Sequence, residues 1–129
     1  MSNDRVLEVS LNAGAITVTG ESNFKKGEFA VRWVKQGTGD WSLYNIAFGP
    51  PLGRIPPTFP ISGIFVTPGT IALKNDNKGT LDGQSTILPY TLYVLADGQI
   101  ITAGFSDQIG EKVTGTKGEE PLQLENEPD

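Results

Sequence analysis

The stretch NDNKGTLDG, residues 75–83, gathers side-chain oxygens of the kind that a hard cation needs. Asp76, Asn77 and Asp82 could supply an irregular calcium site, because calcium accepts mixed sets of carboxylate and amide oxygens. An EF-hand loop is excluded by register, since starts at Asn75 or Asp76 place no bidentate Glu at the twelfth position. Asn, Asp and Gly also favour turns. We therefore predict a reversal between strands and no metal, with Asp76, Asn77 and Asp82 as the candidate ligands if calcium binds.

Two absences narrow the chemistry that this chain could perform. The sequence contains no His and no Cys, which excludes Ser–His and Cys nucleophiles, His general bases, the usual zinc sites and Cys-ligated iron–sulfur clusters. Asp and Glu number fifteen, but most stand at turns or near the C-terminus, and no pair has the apolar surroundings that would tune it for glycoside hydrolysis. We predict no catalytic residue and no cofactor.

Aromatic side chains form the second set of candidate binding residues. Trp41 follows the turn cluster QGTGD, and Tyr44 and Tyr93 stand within alternating segments. Exposed aromatic rings beside polar loops can stack on sugars or on partner side chains, whereas cross-strand aromatic packing would serve the sheet itself. We consider Trp41, Tyr44 and Tyr93 as a ligand or partner surface beside this structural alternative.

The third candidate is the segment GPPLGRIPPTFP, residues 49–60, which carries Arg54 near its centre. Proline removes ladder donors, so the segment cannot be a central strand. It could be a polyproline partner-docking arm, with Arg54 at the contact. The alternative is a rigid crossover from one sheet to another, in which Ile55 and Phe59 cover a sheet edge.

The elements that must position these residues show a period of two. Apolar and polar residues alternate in several short segments, and Asp97-Gly98 and Asn12-Ala13-Gly14 suit tight turns. No segment shows a helical period over three turns. The alternating segments are 6–11, 15–19, 28–35, 41–48, 62–67, 70–75, 88–97 and 99–103.

This pattern predicts an all-β protein, an immunoglobulin-like antiparallel β-sandwich of about seven to nine strands. We assign residues 1–117 to a single domain and 118–129 to an acidic C-terminal tail or a late edge strand around Leu122 and Leu124. The predicted core consists of Val9, Leu11, Ile16, Val18, Phe29, Val31, Trp33, Ile46, Phe48, Phe65, Ile71, Leu73, Leu92 and Val94.

The segment LPYTLYVLADGQIITAGFSDQI, residues 88–109, resembles the end of the small bacterial DP-EP family. It combines a Tyr-rich strand, an Asp-Gly turn, a final strand and an Asp-containing end, and the order upstream of it is similar. The chain is more loosely similar to AidA-type inclusion-body β-sandwich proteins. The resemblance implies a single sandwich of immunoglobulin-like or related topology, in a family without an assigned role, and it implies no catalytic residue.

Charge and hydropathy restrict the partners. The formal net charge is −5, and Lys25-Lys26 is the only adjacent basic pair, so we predict no nucleic-acid binding. Apolar runs are short and the N-terminus lacks the pattern of a signal peptide, so we expect no membrane association and a cytoplasmic location.

By elimination, we expect a non-enzymatic, soluble protein that acts by self-association, as a homodimer, or by binding another protein. One alternative is a carbohydrate- or small-ligand-binding module, or a carboxylate-based enzyme, that uses exposed aromatics. The other is a structural component of a larger assembly.

Overall fold

The computed structural model describes residues 3–106, 111–113 and 122–129. Within these ranges the chain forms strands, turns and irregular segments and contains no helix. The strands build two open sheets that pack against each other, which confirms the predicted all-β sandwich. The alternating apolar pattern explains this arrangement, because each sheet has one apolar face to bury.

The first sheet has five strands and supplies one side of the core. Its neighbours pair antiparallel except β1 and β4, which run parallel. In spatial order the strands are β2 (Ala15–Thr19), β1 (Asn3–Asn12), β4 (Gly27–Lys35), β8 (Thr70–Asn77) and β7 (Ile61–Val66).

The second sheet has seven strands and is organised around β9 (Thr86–Ala96). Strands β5 and β10 pair with the C-terminal half of β9, and β6 and β12 pair with its N-terminal half. The other six strands are β3 (Asn23–Phe24), β5 (Trp41–Phe48), β6 (Leu52–Gly53), β10 (Gln99–Ser106), β11 (Glu111–Val113) and β12 (Gln123–Asn126).

The strand count exceeds the predicted seven to nine, because twelve strands are present in the described part of the chain. The difference comes from β3, β6, β11 and β12, which have only two to four residues each. Such segments are too short to show a periodic signal in sequence. The sandwich is also not antiparallel throughout, since β3 and β12 pair parallel, as β1 and β4 do.

The two turns predicted from sequence are confirmed. Ala13 and Gly14 have φ angles of 52° and 77° between β1 and β2, and Asp97 and Gly98 have 51° and 72° between β9 and β10. Two successive positive φ angles are typical of the tight hairpin turns whose twist matches that of the flanking strands. The Pro-rich segment 49–60 connects β5 in the second sheet to β7 in the first, as the crossover interpretation predicted.

Most of the predicted core is buried between the sheets, with Trp33, Val31, Ile71, Leu92 and Val94 completely inaccessible. Leu11, Val18, Phe29 and Phe48 are only partly buried and pack at the margin of the core. The core also contains residues that the sequence analysis did not select, namely Leu7, Phe24, Leu43, Ile61, Leu88, Tyr90, Ala103, Leu122 and Leu124.

Phe65 was wrongly predicted to lie in the core, because its side chain is 65% exposed. Ile61 of β7 points inward, so regular alternation would also turn Phe65 inward. The pairing of β7 with β8 shifts between Ser62 and Phe65, and Gly63 has a φ of 64°. A shift of one residue reverses the face to which every later side chain points. Phe65 therefore projects from the outer face of the sheet.

Residues 123–126 form β12, which has a strand on each side and so is not an edge strand. Leu122 and Leu124 are buried, and the buried amides of Asn126 and Asn75 donate to each other at 2.8 and 3.0 Å. Because β8 and β12 belong to different sheets, this pair joins the two layers. Residues 114–121, which include the first part of the proposed tail, lie outside the described residues.

Candidate functional site

A cleft of about 520 Å³ opens where the Pro-rich crossover meets the ends of β8 and β4. One wall is the crossover itself, with Arg54, Phe59 and Pro60. The opposite wall is formed by Glu28 of β4 together with Lys74, Asp76 and Lys78–Thr80 of β8 and the loop that follows it. Thr86 and Asn126 also line the cleft. The volume lies within the roughly 300–1,000 Å³ typical of small-ligand sites.

The apolar wall of the cleft is connected to the core by a chain of aromatic rings. Phe59, which is 43% exposed, contacts Phe48 edge to face at a centroid distance of 6.2 Å. Phe48 in turn lies 5.6 Å from Tyr90, and Tyr90 lies 5.3 Å from Trp33. Such ring pairs stabilise beyond the area that they bury. They hold Phe59 against the sandwich while part of its ring remains open to the cleft.

Charged groups around the cleft are arranged in pairs of opposite sign. Lys78 Nζ donates to Asp76 Oδ2 at 2.7 Å, and Arg54 pairs with Asp82. Lys74 Nζ and Glu28 Oε1 are 3.8 Å apart, which is longer than a hydrogen bond. Glu28 and Asp76 are directly opposite each other across β4 and β8. Two like charges so placed would repel, and the two lysines offset that repulsion.

The pKa shifts at the cleft follow from these pairs. The hydrogen bond to Asp76 raises the pKa of the Lys78 ammonium, with the negative charge of Asp76 adding to the effect. The hydrogen bond from the Thr80 hydroxyl lowers the pKa of Asp82, with smaller contributions from the Gln84 backbone N–H and from Arg54. Both shifts favour the charged forms, so the pairs persist near neutral pH.

The three oxygen ligands considered for calcium do not converge. Asn77 points into the sandwich, where its Nδ2 donates to the carbonyls of Phe24 and Glu127 and its Oδ1 accepts from the Gly79 N–H. Asp76 points to the opposite face and pairs with Lys78, while Asp82 pairs with Arg54. Asp76 and Asn77 are separated because successive side chains of a strand such as β8 point to opposite faces of the sheet. Among the described residues, no group of three His, Cys, Asp or Glu could hold a metal ion.

Two of the aromatic candidates, Tyr44 and Tyr93, face outward on the neighbouring strands β5 and β9, and the third, Trp41, does not join them. Trp41 packs against the hydrophobic core, and Lys35 Nζ lies 4.9 Å from its ring centroid. Tyr93 alternates with buried Leu92 and Val94 and therefore faces outward, and Tyr44 is 53% exposed where the register of β5 against β9 shifts. Arg54 lies in the cleft. Trp41, Tyr44, Tyr93 and Arg54 thus do not form one continuous site.

A second feature is the outer face of the five-stranded sheet, where Val6 and Phe65 are exposed apolar side chains. The cross-strand pairing places Val6, Arg32, Ala72 and Phe65 in one row across β1, β4, β8 and β7. Val6 is 43% exposed and Phe65 is 65% exposed, one at each end of the row. The neighbouring row is formed by Asp4, Ala30, Lys74 and Ser62.

Sequence reasoning missed most of the cleft because its residues come from distant segments. Glu28 and Lys74 belong to strands whose alternation shows only that they face outward, and Thr86 begins β9. The crossover wall could be anticipated from the sequence, because its prolines indicated an ordered connection between the two sheets. The exposure of Phe65 had a weaker signal, a glycine within an alternating strand, which is typical of a bulge.

No helix of the described residues is long and apolar enough to cross a membrane. Comparison with protein-family models and with curated proteins finds no match for this chain, so its similarity to the DP-EP family stays a prediction.

Proposed function

We propose that this protein is a non-enzymatic β-sandwich that functions by self-association, as a two-fold dimer formed through the outer face of its five-stranded sheet. The observation that carries the proposal is the row Val6–Arg32–Ala72–Phe65, which exposes a large apolar side chain at each end. Exposed apolar groups on a sheet face lose unfavourable hydration when a second surface covers them.

The geometry of the row suits a second copy of the same chain. Its four residues lie on four adjacent strands, so its midpoint falls between β4 and β8. A two-fold axis parallel to the strands at that midpoint places Val6 of one copy over Phe65 of the other. The same operation places Arg32 over Ala72. An isologous interface requires such self-complementarity.

Charge placement supports the same arrangement. In the neighbouring row, the two-fold operation sets Lys74 over Ala30 and Asp4 over Ser62, so in this row no charged residue faces a charge of its own sign. The row after it sets Glu28 over Asp76, and the salt bridges of these carboxylates with Lys74 and Lys78 offset their repulsion. The flexible stems of Arg32 and Lys74 can lie along the apolar surface while their charged ends remain in water.

The proposal is tested with the threonine variants Val6→Thr and Phe65→Thr, which remove apolar surface and keep a residue that suits a strand. The control is Ile100→Thr on the other sheet, because Ile100 is 45% exposed and so matches Val6 at 43%. Sedimentation equilibrium up to millimolar protein measures the dimer dissociation constant. We expect Val6→Thr and Phe65→Thr each to raise it about tenfold, which corresponds to about 1.4 kcal/mol, and Ile100→Thr to leave it unchanged.

A wild-type protein that remains monomeric at millimolar concentration contradicts the proposal. Sensitivity to Phe65→Thr without sensitivity to Val6→Thr also contradicts it, because that result identifies pairing along the edge of β7 and not face-to-face packing. Three strands separate Val6 from that edge.

The remaining parts of the proposal follow from composition. A chain without His or Cys lacks the commonest catalytic nucleophiles and bases, which supports a role in binding. A chain without Cys is also compatible with the expected cytoplasmic location.

A further inference from the structure

The cleft beside the Pro-rich crossover has properties that differ from those of the proposed dimer face. Its crossover wall is apolar and aromatic, with Pro56, Pro57, Phe59 and Pro60. Phe59 is braced by Phe48, yet 43% of its surface is exposed. A rigid, partly open ring beside proline rings offers an apolar surface to the C–H groups of a flat ligand.

The cleft also has charges of both signs that offset one another, with Arg54 on the crossover wall and Lys74 and Lys78 on the opposite wall. The cations Arg54, Lys74 and Lys78 each have a carboxylate partner, in Asp82, Glu28 and Asp76 respectively. A phosphate or carboxylate ligand would have to compete with these partners for the same cations. A neutral ligand has no such competition.

Paired charges are nevertheless strong hydrogen-bonding groups. A carboxylate accepts and an ammonium donates, and a hydroxyl group can do both. Because Lys74 Nζ and Glu28 Oε1 are 3.8 Å apart, a ligand hydroxyl can accept from the one and donate to the other without breaking a hydrogen bond. Ser62, next to Lys74 across β7 and β8, adds a hydroxyl to the same wall.

We infer that this cleft binds a neutral, hydroxyl-rich ligand of the oligosaccharide class. Phe59 and the crossover prolines contact the C–H face of a sugar ring, and Glu28 and Lys74 hydrogen-bond to its hydroxyl groups. The cleft and the proposed dimer face share Lys74 and Ser62, but Phe59 and the crossover prolines belong to the cleft, whereas Val6 and Phe65 do not line it. Phe59→Ala therefore tests ligand binding separately from the residues that test self-association.

The test uses the full chain and defined probes: cellotriose, maltotriose, xylotriose and chitotriose as neutral trisaccharides, and inorganic phosphate as the anionic comparison. Saturation-transfer NMR detects binding, and titration calorimetry gives the dissociation constant. We expect at least one trisaccharide to bind in the millimolar range or tighter and phosphate not to bind. Phe59→Ala and Glu28→Gln should each weaken that binding about tenfold, the effect of losing roughly one charged hydrogen bond or one apolar contact.

Glu8→Gln is the matched control for Glu28→Gln, because Glu8 is an exposed carboxylate on the same sheet that does not line the cleft. It should leave the dissociation constant unchanged. If Phe59→Ala fails to fold, Glu28→Gln still tests ligand binding, because it changes an exposed side chain and should not affect folding. Failure of all four trisaccharides at millimolar concentration overturns the inference, and so does phosphate binding that Glu28→Gln strengthens, because that result identifies the cleft as an anion site beside Lys74.

Discussion

Two buried polar contacts show how single residues stabilise this sandwich. Trp33 Nε1 donates to Tyr90 Oη at 3.1 Å in the middle of the core, and the amides of Asn75 and Asn126 pair across the two sheets. Burying a polar group without a partner costs about 1–3 kcal/mol. Each contact therefore stabilises the fold, and it also disfavours any shift of the strands that would separate the two partners. Tyr90 also joins the core to the aromatic chain that supports Phe59.

The buried phenol of Tyr90 makes the stability of the fold depend on pH in the alkaline range. Burial raises the pKa of its phenol far above the ordinary 10.0, and the hydrogen bond from Trp33 opposes the shift only in part. The neutral phenol is therefore favoured in the folded state. Above pH 10 the unfolded chain loses this proton while the folded chain keeps it, so stability must fall as the pH rises.

We predict that, above pH 10, the free energy of unfolding of the wild type falls about 1.4 kcal/mol more steeply per pH unit than that of Tyr90→Phe. Urea unfolding at a series of pH values measures both slopes, and the comparison cancels the titration of the other tyrosines and lysines. Tyr90→Phe should also be less stable at neutral pH, by about 1–3 kcal/mol, because Trp33 Nε1 loses its acceptor. Equal slopes would show that Tyr90 ionises freely in the folded protein.

At the scale of elements, the pairing of β10 with β9 restricts the type of residue that can occupy position 104. Gly104 has a φ of 114°, and a Cβ at this position would overlap the carbonyl oxygen of Tyr90 and approach the Cα of Thr91 to 3.0 Å. Strand β10 can therefore lie in register against β9 only if residue 104 has no side chain. Gly98 in the turn between the same two strands has a φ of 72° and open space around it.

These two glycines allow a matched prediction. Gly98→Ala should lower the free energy of unfolding by about 1 kcal/mol, because the positive φ at this position is unfavourable for alanine and no other atom is in the way. Gly104→Ala should cost about 3 kcal/mol or more, because the clash with β9 adds to the conformational term. Chemical unfolding of both variants measures the difference. A cost for Gly104→Ala no greater than that for Gly98→Ala would mean that β10 shifts away from β9 without penalty.

The elements also show where sequence reasoning succeeded and where it failed. The alternation of β4 placed Val31 and Trp33 inside correctly, since a regular strand needs no other information. Phe65 was placed on the wrong face because the bulge at Gly63 and Ile64 depends on how β7 pairs with β8. Phe24 was missed because β3 has only two residues.

At the scale of the whole molecule, net charge opposes association. Each chain carries a formal net charge of −5, so a dimer has twice that net negative charge. In the proposed interface the two rows through Arg32 and Lys74 superpose no like charges, while the next row places Glu28 over Asp76, where Lys74 and Lys78 offset the repulsion. Repulsion therefore acts mainly over longer distances. Long-range repulsion between exposed charges is screened by salt, with a Debye length of about 10 Å at 0.1 M ionic strength and about 30 Å at 0.01 M.

We therefore predict that the proposed dimer tightens as sodium chloride is raised from about 0.01 M to about 0.1 M. Sedimentation equilibrium at each concentration gives the dissociation constant, which should fall severalfold because screening removes repulsion between the two acidic chains. Potassium chloride provides the control for ion-specific effects and should give the same result. Weaker association with added salt would mean that attractive ion pairs hold the interface, contrary to the proposed superposition of charged on uncharged residues.

The sequence by itself determined the fold class, the hairpin turns and about half of the buried core. Each of these depends on local alternation or on the conformations that Asn, Asp and Gly allow, and such preferences do not require distant contacts. The absence of His and Cys likewise restricted the chemistry without reference to any structure.

Only the tertiary structure decided which polar residues meet. It brought Glu28, Arg54, Phe59 and Lys74 to one cleft, and it turned Phe65 outward in the same row as Val6. These groupings depend on sheet order, register and a bulge, which are set by long-range pairing and packing that no short segment encodes.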